Sequence, residues 1–214
     1  MPAPSTDSPT RAVNDVDIAN NALAMLGSPP IGGFAEDSEL AGAVNSVYVD
    51  VIESCLGAHL WTWTLHTAPL QLLAETPVTG WRFAFALPND RLTIPTRVAR
   101  SADSRNILRD FWIEGENLYA NCNPLWAGYR RKPAVSFWPA PFRLFSTRAL
   151  AAELAIPVSQ DANFAATLLD QAWGTQQEGR RGGLFSKAMT QDLSHPVSTS
   201  PLWARDPLTD EWVS

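Results

Sequence analysis

The stretch WTWTLHTAPLQL, residues 61 to 72, decides the fold expected for this chain. It alternates apolar and polar side chains and is rich in aromatic and β-branched residues, which is typical of a β-strand. In a strand, this alternation places Trp61 and Trp63 on one face and His66 on the other. We expect the stretch to be a buried hinge between a helical part and a β part. A ligand-binding platform made of the two indoles is the alternative.

Two helices are predicted before this stretch. The first lies within residues 14 to 30, because Asn14 or Asp15 can cap its start and Gly27, followed by Pro29 and Pro30, can end it. The second covers residues 36 to 59. Its acidic first turn complements the helix dipole, and its apolar residues recur at helical spacing. Those apolar residues are Leu40, Val44, Val47, Tyr48, Val51 and Cys55.

Short strands are predicted after residue 60, separated by Gly, Asn and Asp residues that favour turns. The strand-like runs cover residues 82–88, 91–100, 111–120 and 125–132. The run FWIEGENLYA predicts a hairpin with its turn at Gly115 to Asn117. Pro69 and Pro95 favour edge strands or bulges, because proline has no N–H to donate to a neighbouring strand.

Helical spacing returns at about Phe142, and Pro157 is expected to end that helix. A last helix is predicted to begin near Asp161. The order of elements predicts an α+β protein. The N- and C-terminal helix pairs are expected to form a helical bundle, with an antiparallel β domain inserted between them. The predicted boundaries are 1–13 for a flexible arm, 14–60 and 141–190 for the bundle, 61–140 for the β domain, and 191–214 for an extended C-terminal tail.

Composition narrows the classes of function. The 214 residues are 45% hydrophobic and 18% charged, so a sizeable core is expected. A net charge of −6 argues against a surface that grips nucleic acid throughout, because phosphate binding needs clustered positive charge. The chain shows neither a long apolar run nor a hydrophobic signal core, which predicts synthesis in the cytoplasm. Nine Trp residues favour interfaces as well as cores.

The sequence predicts neither a metal site nor a cofactor site. Cys55 and Cys122 are expected to be buried free thiols, because their spacing is not that of metal ligands and nothing suggests a secretory pathway. His59 and His66 lie seven residues apart across a change from helix to strand, which is not the spacing of paired zinc ligands.

The sequence also predicts no catalytic residue. Asp103, Asp110, Glu114 and Glu116 lie where the chain is expected to turn, and turns are usually acidic and solvated. The segment RRGG, residues 180 to 183, is interpreted as following a helix and not opening one. It is therefore a poor candidate for a phosphate cradle.

Two places favour association with other protein molecules. Arg130 and Arg131 form a small basic cluster, interpreted as a solvated face or as a contact with acids of a neighbouring subunit. Trp203, Arg205 and Trp212 lie in a tail with few apolar neighbours. Apolar anchors in a polar segment are typical of an arm that docks on a partner. Docking of this tail back onto its own domain is the alternative.

Several motifs between about residues 15 and 175 resemble those of the tail tubular protein A family of short-tailed, podovirus-like phages. They are A-L-x-x-L-G at Ala22 to Gly27, D-S-E at Asp37 to Glu39, H-x-W-x-W at His59 to Trp63, and G-W-x-x-x-F-A-L-P-x-D at Gly80 to Asp90. LWAGYRRKP and ALAAELAIPVSQ are similar to a later strand and helix of the family. As a set in this order, the motifs are specific.

The resemblance implies a structural virion protein: the ring-forming adaptor between the portal and the tail nozzle. A ring of about a dozen copies would contact the portal and a tail tubular protein B-like nozzle, and DNA would pass through without sequence-specific binding. Such a protein is assembled in the host bacterial cytoplasm and located in the phage tail. It is not an enzyme. In this interpretation, Trp203, Arg205 and Trp212 would bind the portal, and Arg130 and Arg131 would lie at the subunit boundary.

Two other classes of function remain open from the sequence. A tail-associated hydrolase of glycans or peptidoglycan would need two carboxylates roughly 5 to 10 Å apart in a cleft. A nucleic-acid-binding module would show binding that weakens steeply with added salt.

Overall fold

A computed structural model of the protein describes residues 14–74, 77, 80–102 and 107–194. Within these residues the protein has five α-helices and two antiparallel sheets, which confirms the predicted α+β class. The helices are α1 (Asp15–Met25), α2 (Glu39–Gly57), α3 (Ala140–Ser159), α4 (Ala162–Trp173) and α5 (Gly183–Ser194). The strands are β1 (Leu65–Pro69), β2 (Gln71–Leu72), β3 (Phe83–Ala86), β4 (Arg97–Ala99), β5 (Ile107–Leu108), β6 (Phe111–Glu114), β7 (Asn117–Ala120) and β8 (Trp126–Arg130).

The first two helices begin at side-chain caps. Asn14 caps α1: its side chain accepts from the Asp17 N–H at 2.9 Å, and the Asp17 carboxylate accepts from the Asn14 N–H at 3.1 Å. Gly27 follows α1 at φ +71°, as the sequence predicts. The second helix begins later than predicted. The Glu36 carboxylate accepts from the Gly32 N–H at 2.6 Å in a preceding turn, and Ser38 is the cap.

All five helices contribute to one apolar core. Helix α3 lies at its centre and packs against α1, α2, α4 and α5. Aromatic rings fill the middle of the core, where Phe145 stacks edge-to-face on Trp173 with ring centroids 4.7 Å apart. Trp61, Val135 and Trp138 also belong to this core, although they lie within the predicted β domain of residues 61–140.

The helices after the sheets differ from the prediction in two ways. Pro157 does not end α3, which continues to Ser159 and stops at Gln160, whose φ is +53°. Pro157 has no N–H to bond to the carbonyl four positions earlier, but only two helical residues follow it, so little of the helix depends on that bond. A third helix, α5, follows α4, and it contains residues 191 to 194, which the sequence assigns to the tail.

The eight strands form two four-stranded sheets. The strand order is β1-β8-β4-β5 in the first sheet and β2-β3-β7-β6 in the second. The predicted hairpin is confirmed as β6–β7, whose two-residue turn has Gly115 at φ +57°. The run 91–100 is a strand only at Arg97–Ala99, apart from an isolated bridge between Arg91 and Arg131. Strand β5 is absent from the sequence prediction.

The inner faces of the two sheets share a second apolar core. Phe85 and Leu118 of the second sheet lie fully buried against Val98 and Ala127 of the first sheet. The helical core and the sheet core are therefore separate clusters of buried side chains. None of the helices in the described part of the chain has the length and apolar character needed to cross a membrane.

Candidate functional site

The stretch WTWTLHTAPLQL, residues 61 to 72, lies where the helices meet the sheets. Its first part is not a strand: Thr62–Thr64 forms a 3₁₀ turn, and β1 begins only at Leu65. The prediction that Trp61 and Trp63 share a strand face is therefore wrong. Within this turn, the N–H and hydroxyl of Thr62 donate to a carboxylate 130 positions away along the chain.

Trp61 is buried against three helices. Its indole is 1% exposed and lies edge-to-face on Phe142 of α3 and Phe185 of α5, with ring centroids 5.0 and 6.2 Å away. Its Nε1–H donates to the Cys55 carbonyl oxygen of α2 at 3.0 Å. The prediction of a buried junction is confirmed for this indole, because its faces and its single donor are all used inside the chain.

Asp192 of α5 is a buried carboxylate that holds the turn in place. It accepts from the Thr62 N–H at 3.0 Å and from the Thr62 hydroxyl at 2.7 Å. His59 Nε2 lies 3.5 Å from Asp192 Oδ2, the oxygen that also accepts from the Thr62 N–H. Sequence reasoning missed Asp192, because it lies 130 positions from Thr62 and within the predicted tail. We call the set of Trp61, Thr62, Arg130 and Asp192 the junction.

Arg130, predicted to contact a partner, extends from the end of β8 into the junction. Its Nη1–H donates to the Trp61 carbonyl oxygen and, at 3.2 Å, to the Thr64 hydroxyl. Burial lowers the pKa of the Arg130 guanidinium, and the Asp192 carboxylate opposes that shift. The described contacts of this guanidinium lie within the chain, and its role at a subunit boundary stays a prediction.

Arg131 lies on the surface beside the junction. Its side chain is 43% exposed, and Nη1 lies 3.7 Å from Asp90 Oδ2. It helps line a groove of about 330 Å³ that we call the junction groove. The groove is lined by Trp63, Thr64, Leu65, His66, Arg131, Pro133 and Phe137. Phe137 is 75% exposed at this groove, so the surface beside Arg131 is apolar as well as basic.

The predicted anchors Trp203, Arg205 and Trp212 lie outside the described residues, as does Asp103. Of the predicted partner-binding residues, the structure therefore describes Arg130 and Arg131, and the three tail residues stay sequence predictions.

The other candidate residues occupy separate places. Glu116 of the β6–β7 turn is bonded to Arg91 at a surface cleft, while Asp110 and Glu114 are exposed on the sheet edge. Of the two cysteines, Cys55 is buried and Cys122 is half-buried, and both are free thiols. Within the described ranges, His, Cys, Asp and Glu side chains form no group of three or more that could hold a metal ion.

The interpretation of RRGG is wrong in one respect. Gly183 is the first residue of α5, so the segment does open a helix. The Glu178 carboxylate nevertheless lies against this segment, because a Cβ on Gly182 would be 2.5 Å from Glu178 Oε2. The same carboxylate accepts from the Thr175 N–H at 2.8 Å. A carboxylate at this position would repel a phosphate.

Burial raises the pKa of three neutral groups. It is the main cause for Tyr48 and Tyr129, and each phenol also donates to a carboxylate, Asp15 and Asp90 respectively. The pKa of Tyr129 is raised to about 12. Burial alone raises the pKa of the Cys55 thiol. In the folded protein each group therefore keeps its proton at pH values where the unfolded chain has lost it.

We expect the free energy of unfolding to fall as the pH rises above ~9. Each group with a raised pKa stabilises the folded state fully at pH values below its unfolded-state pKa, which is about 8.5 for Cys and about 10 for Tyr. This stabilisation is lost as the pH rises from that value toward the folded-state pKa. The slope is at most about 1.4 kcal/mol per pH unit for each group. Urea titrations at several pH values between 7 and 11 measure it. The Tyr48→Phe variant should show a shallower fall, and a profile that stays flat to pH 11 would contradict the expectation.

Large apolar side chains are exposed at several separate places on the described surface. Apart from Phe137, they include Trp112 on β6, Ile107 on β5, Leu65 on β1 and Leu72 on β2. Trp112 lies opposite Tyr119 on the outer face of the second sheet. Exposed aromatic residues of this kind are enriched at protein–protein interfaces.

A comparison of the chain with known protein families and with curated proteins found no match.

Proposed function

We propose that this protein is the protomer of a ring-forming head–tail adaptor, which joins the portal of a short-tailed phage to its tail nozzle and lines the DNA channel. A ring protomer must bury surface on two sides against copies of itself and again against the components above and below. The observation that carries the proposal is the exposure of large apolar side chains on more than one side of the described chain, at the sheet edges and at the junction groove.

Two further features support the proposal. The motifs between residues 15 and 175 resemble those of the tail tubular protein A family. The shared core of the five helices fits a helical bundle built from the two ends of the chain, with the sheets inserted between them in sequence. In this arrangement the bundle contacts the portal, and the sheets contact neighbouring copies or the nozzle.

The assembly itself is the test. We expect mass measurements in solution to show a ring of about twelve copies when the chain is mixed with the portal protein of the same phage. Deleting residues 195 to 214, which carry Trp203, Arg205 and Trp212, should abolish binding to the portal while the circular dichroism spectrum stays that of the intact chain.

A second variant keeps the tail and replaces only its two aromatic anchors, as Trp203→Ser and Trp212→Ser. It should weaken portal binding on the order of 100-fold, because a few aromatic residues carry most of the binding energy of an interface. Full binding by the chain that lacks the tail would refute the role of the tail. A chain that never exceeds the mass of a monomer, with or without the portal protein, would refute the ring.

A further inference from the structure

Each lateral edge of the two sheets is made by one continuous piece of chain. On one side β1, the outer strand of the first sheet, leads through Leu70 directly into β2, the outer strand of the second sheet. On the other side β5 leads through Arg109 and Asp110 into β6. We call residues 65–72 the first edge and residues 107–114 the second edge. Each edge therefore contains one outer strand of each sheet, and the two strands follow each other along the chain.

The pairing register shows which backbone groups of these strands point outward. The Leu70 N–H donates to the Leu125 carbonyl and the Arg131 N–H to the Thr64 carbonyl, so in β1 the even-numbered residues bond to β8. Thr67 then points its N–H and C=O away from the sheet. Pro69, which has no N–H, also lies at an outward position, as expected for a proline in an edge strand.

The outer strands of the second sheet also point backbone groups outward. The Leu73 N–H donates to the Ala84 carbonyl, which turns the backbone groups of Leu72 outward. In the β6–β7 hairpin, the pair that closes the two-residue turn is hydrogen-bonded, so Phe111 and Ile113 point their backbone groups outward. Both edges therefore present backbone donors and acceptors that the described strands do not use.

Strand direction matches the two edges to each other. Every described pair in both sheets is antiparallel, and each sheet has four strands, so its two outer strands run in opposite directions. When a second copy is placed beside the first in the same orientation, β5 runs antiparallel to the β1 of the neighbour. At the same time β6 runs antiparallel to the neighbour's β2. One head-to-tail contact therefore extends both sheets at once.

Side chains and charge also complement each other across this contact. Ile107 and Trp112 on the second edge are 53% and 58% exposed, and Leu65 and Leu72 on the first edge are 45% and 42% exposed. The second edge carries the exposed carboxylates of Asp110 and Glu114 and one exposed arginine, Arg109, so two negative charges and one positive charge leave it at −1.

The first edge has no acidic residue and lies beside two arginines. Arg97 Nη2 donates to the Thr67 hydroxyl at 3.3 Å, and Arg131 lines the junction groove together with Leu65. Pairing of the second edge with itself would instead bring its carboxylates close to one another, which costs free energy.

We propose that copies of this chain join edge to edge, the second edge of one copy forming backbone hydrogen bonds with the first edge of the next, so that the sheets run on from subunit to subunit around the ring. This inference rests on the proposed ring and names the surfaces that form it. A contact between two different surfaces is head-to-tail, and such contacts close into a ring when the rotation between copies fits.

Two complementary variants test the contact. The first carries Ile107→Lys and Trp112→Lys on the second edge, and the second carries Leu65→Lys and Leu72→Lys on the first edge. Lysine on an edge strand opposes pairing with another strand. A matched control, Ile94→Lys with Ile156→Lys, makes the same change in charge at exposed apolar residues away from both edges. Native mass spectrometry separates the variants by mass and counts the copies in each species.

The wild-type chain and the variants are compared at NaCl concentrations from low to high, with and without the portal protein. We expect the control to form the ring and each edge variant alone to remain monomeric, with at least a ~100-fold loss of association. An equimolar mixture of the two variants should give one-to-one heterodimers and nothing larger, because only one intact pair of edges remains.

Three outcomes would overturn the edge contact while the ring stands: a ring formed by either edge variant alone, a homodimer of one variant, or a mixture without heterodimers. A wild-type chain that forms no ring under any of these conditions counts against the proposed function itself. Circular dichroism of each variant shows whether a loss of association reflects a loss of folding.

Discussion

Replacing Trp61 with alanine is expected to lower the free energy of unfolding by about 3–5 kcal/mol. The indole is 1% exposed and touches α3 and α5 through Phe142 and Phe185, so its removal leaves a cavity between helices that are far apart in sequence. It also removes the donor to the Cys55 carbonyl, which lies at the end of α2. The loss therefore combines buried apolar surface, packing and one hydrogen bond.

Urea titration followed by far-ultraviolet circular dichroism measures this effect. Trp112→Ala is the matched control, because it makes the same chemical change at an indole that is 58% exposed. We expect the control to change the free energy of unfolding by less than about 0.5 kcal/mol. Equal losses in the two variants would mean that Trp61 does not tie the helices together.

Replacing Asp192 with alanine is expected to lower the free energy of unfolding by about 3 kcal/mol. The carboxylate accepts from the N–H and the hydroxyl of Thr62, and hydrogen bonds to a charged group are stronger than those between neutral groups. Without it, the N–H and hydroxyl of Thr62 lose the carboxylate to which they donate, and the Arg130 guanidinium loses a nearby negative charge.

A double-mutant cycle with Thr62→Val isolates the contact between the two residues, and we expect a coupling energy of about 1 kcal/mol. Asp50→Ala, which removes an exposed carboxylate from α2, is the matched control and should cost within about 0.5 kcal/mol. A loss in Asp192→Ala as small as that of Asp50→Ala would mean that α5 is held to the turn by apolar packing alone.

The elements that the sequence predicts best are those whose determinants are close together along the chain. Asn14 and Gly27 bound α1, and the two-residue turn with Gly115 at its first position determines the β6–β7 hairpin. A cap or a tight turn is determined by residues within four positions of it. For the candidate site, the sequence predicts a buried indole at the hinge. It identifies Arg130 and Arg131 only as a basic cluster, and their place beside the hinge follows from the pairing of β1 with β8.

The misassigned elements each depend on a distant part of the chain. Helix α5 has few strong apolar residues in its sequence, and it is held by the burial of Phe185 against the Trp61 ring and by the carboxylate of Asp192. Strand β5 is only two residues long, and it is a strand because it pairs with β4. No local pattern marks β5. In α5, Phe185, Ala188 and Met189 do recur at helical spacing, a signal that the sequence prediction did not use.

The sequence by itself determined that a block of strands lies between helices, the two ends of α1, the β6–β7 hairpin and the presence of a buried tryptophan where the period changes, because hydrophobic spacing and turn chemistry act over a few residues. Only the tertiary structure decided that residues 62 to 64 form a 3₁₀ turn, that Arg130 bonds to that turn, and that β1–β2 and β5–β6 are the edges of both sheets. The physical reason is that a backbone donor or a strand edge forms hydrogen bonds with whichever group lies next to it in the folded chain, and that group can be far away in the sequence. For Thr62 that partner is a carboxylate 130 positions away.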